Sequence, residues 1–327
     1  MSKRIKIVVG IGMAFLLTTS VWAQGGFQPI QDNVKKVGQS GMQFLKIGVD
    51  ARSVAMANIG LTHQGDAANI FMNPAGIGFV EKASVFVGYT EWIADMSKQA
   101  VAGALSLQNI GVFGVHAAVM SLGDFEGTVL ADNELSYDDT GNLDVGEYVI
   151  GITYAKQLTD SFTFGGTVKM ANQDLDVKSK SVVGFDIGSI YAPGWNGTRI
   201  GMAMRNFSGE FNYVRETMTL PYTFMVGIST DLLQMFGATD GLDGQPVWTL
   251  AIEGNKVRDF SERVHIGSEF MLNDLVFLRA GYKFNYDEEG LTFGAGIKYS
   301  GINLNYAYRD FGSIFGSTSM LSASFNF

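Results

Sequence analysis

Ser161-Phe162-Thr163-Phe164-Gly165-Gly166-Thr167-Val168-Lys169-Met170 alternates without a break. One face carries Phe162, Phe164, Gly166, Val168 and Met170, and the other Ser161, Thr163, Gly165, Thr167 and Lys169. Successive side chains of a strand point to opposite faces, so a period of two reads as β. Gly301 to Arg309 repeats the pattern, with Ile302, Leu304, Tyr306 and Tyr308 against Asn303, Asn305, Ala307 and Arg309. Leu291 to Ser300 does so again, with Leu291, Phe293, Ala295, Ile297 and Tyr299 together. A soluble sandwich would charge its outer face. Here one face is continuously apolar, and the other is mostly Gly, Ser, Thr and Asn with scattered Lys and Arg. That is the pattern of an antiparallel transmembrane β-barrel, apolar toward lipid and polar within.

Extended along the chain, the pattern predicts strands at 83–92, 98–108, 111–130, 144–158, 161–178, 181–193 and 197–209. It continues at 221–231, 245–256, 262–271, 275–285, 290–299, 302–310 and 317–327. The total is fourteen, an even number, as single-chain bacterial barrels require. Five links read as short turns: Asn109-Ile110, Thr159-Asp160, Gly194-Trp195-Asn196, Asn273-Asp274 and Ser300-Gly301. Most of the links between them are longer, which matches short periplasmic turns alternating with external loops. Leu232 to Gly244 breaks the rule, and a periplasmic insertion with a short helix at Leu232 to Phe236 is expected there. Tyr89, Tyr191, Tyr282, Phe284, Tyr299 and Tyr308 lie at strand ends and suit interfacial girdles.

Composition agrees. Of 327 residues, 46% are hydrophobic and 17% charged, with 41 glycines and 5 prolines; soluble domains carry roughly 25% charge. The longest apolar run, Ile7 to Leu17, has 11 residues, short of the ~20 a spanning helix needs. Preceded by Lys3, Arg4 and Lys6 and followed by Val21-Trp22-Ala23, it reads as a signal peptide, residues 1–23, cleaved before Gln24. The remaining chain would hold 20 basic and 32 acidic residues, a balance that repels phosphate backbones and argues against nucleic-acid partners. Cysteine is absent, which excludes disulfides, thiolate chemistry and cysteine-ligated metals.

Residues 24–82 do not alternate. Gln39 to Ile59 is rich in small residues and suggests a compact helix-and-turn segment lying in the lumen as a hatch. Asn73-Pro74-Ala75-Gly76 closes it as a turn signal, Pro fixing φ and Gly permitting positive φ. At the other end, Ser317 to Phe327 carries Leu321, Ala323, Phe325 and the terminal Phe327 on one face. This resembles the signal read by the outer-membrane barrel assembly machinery.

The string Gly38-Gln39-Ser40-Gly41-Met42-Gln43-Phe44-Leu45-Lys46-Ile47-Gly48-Val49, then Ala51-Arg52, Asn73-Pro74-Ala75-Gly76 and Tyr89-Thr90-Glu91-Trp92, resembles the PorV/PorQ family of FadL-like outer-membrane barrels. The chain departs from that pattern at Ser53 to Asn58 and at His63-Gln64. The resemblance implies a fourteen-stranded barrel with an N-terminal hatch, placed in the outer membrane among its lipids. It implies one of two roles. PorV-like members accept the C-terminal β-domain of a secreted protein at the cell surface and shuttle it in type IX secretion, alongside other secretion components. FadL-like members pass long-chain fatty acids or other hydrophobic small molecules. A structural barrel holding an envelope complex together is a third reading.

Bond chemistry finds little support. His63, His116 and His265 are far apart, and no ligand-spaced pair, nucleophile elbow, P-loop or dinucleotide fingerprint is present. No enzyme activity, cofactor or metal is therefore expected. The eight acids from Gly123 to Glu147 read as a solvated external loop; the carboxylates of Asp138 to Asp144 suit a weak Ca²⁺ site by type but lack the EF-hand order. Tyr89, Glu91 and Trp92 form the candidate partner-binding rim. Trp92 reads either as a girdle residue or as a contact for a docked partner.

Overall fold

The computed structural model describes residues 40–327 except 124–125, 131–135, 144, 176–177, 214–215 and 243. The expected leader, together with Gly38 and Gln39 of the family string, lies outside these residues. Fourteen antiparallel strands close into one barrel. In chain order they are β1 Ala83–Glu91, β2 Ser97–Leu107, β3 Gly111–Ser121, β4 Val145–Thr159, β5 Phe162–Leu175, β6 Lys178–Tyr191 and β7 Arg199–Phe207. The second half is β8 Thr223–Asp231, β9 Val247–Val257, β10 Arg263–Leu272, β11 Val276–Phe284, β12 Leu291–Tyr299, β13 Ile302–Asp310 and β14 Ser317–Asn326. β1 pairs with β14 from Ser84↔Asn326 to Thr90↔Met320, so the barrel leaves no free edge.

The alternation has the predicted sense. On β5, Thr163, Gly165, Thr167 and Lys169 are buried inward while Phe164 and Val168 are exposed. On β13, Ile302, Leu304, Tyr306 and Tyr308 are exposed, and Ala307 and Arg309 are buried. All six expected girdle aromatics, from Tyr89 to Tyr308, face outward. Two of the tight turns have the backbone their sequence predicts. Asn273 and Asp274 both sit at φ 53°, and Ser300 and Gly301 at φ 50° and 82°. Paired positive φ values match the twist of a two-residue hairpin.

Three features differ from the expectation. The third strand does not run to residue 130: its ladder ends at Ser121, and Glu126–Leu130 pairs with Tyr137–Asn142 as a separate hairpin. The acidic segment is thus partly a hairpin rather than a plain loop, with Val129, Leu130 and Tyr137 exposed on it. A second small hairpin, Phe211–Tyr213 with Glu216–Met218, lies between β7 and β8. The link after β8 carries the expected helical turn, at Leu232–Met235. No helix among the described residues is long and apolar enough to cross a membrane; the strands span it.

Residues 40–82 pack inside the barrel. Four short helical turns, Gln43–Lys46, Ala51–Ala55, Ala67–Phe71 and Pro74–Phe79, cross the lumen from wall to wall. Phe44, Met56, Ile59, Leu61, Ile70 and Ile77 are each no more than 2% exposed, and burying such side chains contributes about 1.5–3 kcal/mol each as an upper figure. The wall is made small where the hatch touches it. A Cβ at Gly88 would lie 2.3 Å from the Val49 carbonyl oxygen, and one at Gly281 2.4 Å from the Ala57 nitrogen. The inward glycines at these positions are therefore seats for the hatch backbone.

Irregular backbone at membrane depth persists only where protein satisfies its polar groups, and wall side chains do so here. Glu253 accepts from Gly60 N at 3.0 Å and Leu61 N at 2.8 Å. Thr292 accepts from Ala57 N and donates to Ala55 O, both at 2.9 Å. The Lys98 ammonium donates to Phe44 O at 2.7 Å and Ile47 O at 2.8 Å.

Candidate functional site

The hatch divides the lumen into a chamber at the loop end and a vestibule at the end bearing the short turns. Asn73-Pro74-Ala75-Gly76 anchors the partition. Asn73 is fully buried. Its Oδ1 accepts from Ala75 N at 3.1 Å and caps the helical turn, with Pro74 in the first position where no donor is needed. Its Nδ2 donates to Leu61 O at 2.7 Å within the hatch and to Ser189 O at 3.1 Å on β6. One side chain thus ties two hatch turns to the wall. Opposite, Asp50 caps Ala51–Ala55 by accepting from Ser53 N at 3.0 Å and Arg52 N at 3.1 Å. Arg52 then makes a bidentate pair with Glu269 of β10, at 2.9 and 2.7 Å. Glu269 also receives Arg279 Nε of β11 at 2.6 Å.

Above the hatch is a chamber of about 470 Å³. Gln43 to Ile47 form its floor, held by Lys98. One part of the lining is apolar, with Phe44, Leu45, Met96, Met120, Leu122, Met225 and Val257. The other part is cationic, with Lys46, Arg205, Arg263, Lys283 and Arg309 against Glu147 and Glu289. The guanidinium of Arg263 lies 4.1 Å from the Phe260 ring centre and 3.9 Å from that of Tyr286. The Tyr286 hydroxyl bonds His265 Nε2 at 2.9 Å, and burial pushes that hydroxyl up to about 12. Burial also lowers Lys46 from its ordinary value, although Asp259 acts in the opposite sense. Burial works against the Glu289 charge, but Lys283 and Arg309 beside it hold the carboxyl below its usual range. Nε of Arg205, Nε of Arg263 and Nη2 of Arg309 are buried without a hydrogen-bond partner among the described residues.

The three rim residues separate. Tyr89 faces outward, 43% exposed. Glu91 accepts from the Ser319 hydroxyl at 2.7 Å, tying the first strand to the last. Trp92 turns in over the chamber: its ring meets Phe311 edge-on at 5.3 Å, and Arg309 stacks on it at 4.6 Å. It is a chamber residue and not a girdle one. Leu321 and Phe327 are exposed, and Phe325, half-buried, lies edge-on to Phe327 at 4.3 Å. His63 lies in the hatch, His116 on β3 and His265 on β10. Sequence reasoning did not find the chamber cations. The available signal was charge on the small-residue face, as at Arg205, Lys283 and Arg309.

The chain matches the family described as type IX secretion system protein PorV over residues 30–212. It belongs to the PorV family. Solved structures share the fold at low identity. The Pseudomonas putida toluene transporter TodX is 14% identical with a TM-score of 0.54, covering 86% of this chain and 98% of its own. A Pseudomonas aeruginosa FadL homologue is 11% identical, TM-score 0.52, covering 85% and 98%. The CymD monoaromatic hydrocarbon channel is 12% identical, TM-score 0.52, covering 86% and 98%. No curated protein matches the chain. The protein is thus an outer-membrane β-barrel with the FadL-like fold.

Proposed function

We propose that this barrel is a surface acceptor in type IX secretion, binding the C-terminal β-domain of a secreted protein at its loop end. The family match carries the reading, and the chamber supports it. A recess floored by an anchored hatch suits holding a partner better than conducting a solute. Trp92 stacked on Arg309 has the composition of a binding hot spot. Partners are then the cargo domain and further secretion components, with outer-membrane lipid around the wall and the barrel assembly machinery acting on the C-terminal strand. Recognition needs no bond chemistry. The second reading is transport of a fatty acid or another hydrophobic small molecule. It is favoured by one observation, the apolar lining that meets unpartnered guanidinium groups in the same chamber.

A pull-down of the tagged barrel from its native envelope in mild detergent, with mass spectrometry of proteins and lipids together, separates the two. Secreted proteins sharing a C-terminal β-domain are expected. Trp92→Ala should weaken their capture by about 2 kcal/mol, roughly 30-fold, whereas Tyr89→Ala on the lipid face should leave it unchanged. An empty protein list with stoichiometric fatty acid would overturn the acceptor reading and establish the second.

A further inference from the structure

A smaller recess of about 120 Å³ lies on the other side of the hatch, at the end bearing the short turns. Arg199, Ser229 and Ala251 sit side by side on β7, β8 and β9 in register, and all three line it. Thr249 lies two residues along β9. The hatch supplies Arg52, His63 and Gln64 from the facing side. The volume corresponds to about four waters, enough for a group of a few heavy atoms and too little for an acyl chain.

Apart from Met56 and Ala251, every residue of its lining carries a side-chain group able to donate. The lining contains two guanidinium groups and no carboxylate. The Arg199 guanidinium makes no hydrogen bond or ion pair with any described residue, and Arg52 commits only Nε and Nη2 to Glu269. Ser229 is 2% exposed, yet its hydroxyl has no partner among the described residues; the buried Nε2 of Gln64 has none either. Leaving buried polar groups unmatched costs about 1–3 kcal/mol each, which points to an occupant that accepts from all of them. The acids nearest in charge to Arg199, Glu269 and Asp231, lie outside the lining. Glu269 is taken by Arg52 and Arg279; Asp231 Oδ1 accepts from Leu233 N and Trp248 N, while its buried Oδ2 has no hydrogen-bond partner among the described residues and does not reach the Arg199 guanidinium.

We propose that this recess binds a small oxyanion, a phosphate or a carboxylate group, reached from the periplasmic side. Guanidinium, amide and hydroxyl donors converging on one point match the several acceptor lone pairs of such a group. The site is separate from the loop-end chamber and stands whatever that chamber holds.

The test is equilibrium dialysis of the folded, detergent-solubilised full chain against radiolabelled inorganic phosphate, with radiolabelled acetate as a second arm. Saturable binding of one anion per chain is expected, with a dissociation constant of about 1 mM. Phosphate bound in preference to acetate assigns a phosphate, and the reverse assigns a carboxylate; both support the site. Arg199→Gln should weaken binding roughly tenfold or more, since it removes the one uncommitted guanidinium. Ser229→Ala should weaken it by a smaller factor, and gives the reading if Arg199→Gln does not fold. Lys156→Gln, at an exposed site beside the Asn109 turn and outside both cavities, should change nothing. Absence of saturable binding by either anion, full binding in both recess variants, or loss of binding in Lys156→Gln would each overturn the proposal.

Discussion

Glu269→Ala should unlock the hatch and let ions through the barrel. The carboxylate is 5% exposed and is held by two cations, Arg52 from the hatch and Arg279 from the neighbouring strand. Its removal leaves both guanidiniums facing each other, Arg279 buried and Arg52 partly open to the vestibule. Breaking a buried pair by deleting one partner costs about 3–5 kcal/mol at most, and solvent reaching Arg52, whose side chain is 34% exposed, lowers its share. The wall is held by fourteen ladders and can absorb this, whereas Ala51–Ala55 is a single helical turn and cannot. The strain therefore falls on the hatch. In planar bilayers the parent should show a quiet baseline and the variant persistent open steps. Both should still migrate as folded barrels in unheated gels. A quiet baseline in a folded Glu269→Ala protein would show that the triad does not hold the partition.

Gly188→Val should expel the Asn73 turn. A Cβ at this position would lie 2.0 Å from Asn73 Oδ1 and 3.1 Å from Pro74 Cδ. Asn73 cannot rotate away without giving up its bonds to Ala75 N, Leu61 O and Ser189 O. Each buried group so orphaned costs about 1–3 kcal/mol, and the clash forces more than one of them. Because the chain lacks cysteine, an Ile77→Cys background gives a clean reporter at a position that is 0% exposed. Maleimide labelling should be negligible in that background and at least roughly 100-fold faster once Gly188→Val is added, from a local opening shifted by about 3 kcal/mol. Gly166→Val on the neighbouring strand is the control, because a Cβ there meets only the Asp186 carbonyl oxygen at an ordinary 3.6 Å. Equal labelling of the two would refute the wedge.

The contrast between these positions shows what the sequence exposes. The lipid face is legible because every outward residue answers to the same solvent. Phe164, Val168, Leu304 and Tyr306 each read correctly without knowledge of their neighbours. Inward residues answer to particular partners. Alternation places Gly188 inward with Gly184 and Asp186 and Gly166 outward with Phe164 and Val168, but nothing local shows that Gly188 seats Asn73. The Asn73-Pro74 element was readable because its cap is made within three residues. The hairpin at Glu126–Leu130 was not, because alternation continues past Ser121 and cannot show where a ladder changes partner. The chamber was invisible for the same reason: its cations come from the hatch and from four strands, brought together only when the sheet closes. Trp92 was found as a residue of interest, but its inward direction depends on Arg309 and Phe311, more than 200 residues away.

The contacts between the hatch and β14 carry a temporal consequence. Ala51 N donates to Ser322 Oγ at 3.2 Å, and Asp66 accepts from Ser324 Oγ at 2.5 Å, across 271 and 258 residues of chain. The segment made first therefore finds its last partners in the strand made last. Closing loops of that length is slow, because their entropy is lost before the contacts form. Until β14 arrives, the apolar turns of the hatch have an incomplete wall and the cylinder has a seam. Sealing the seam and seating the hatch are then one event, so an unfinished barrel stays unplugged and a finished one is plugged from birth.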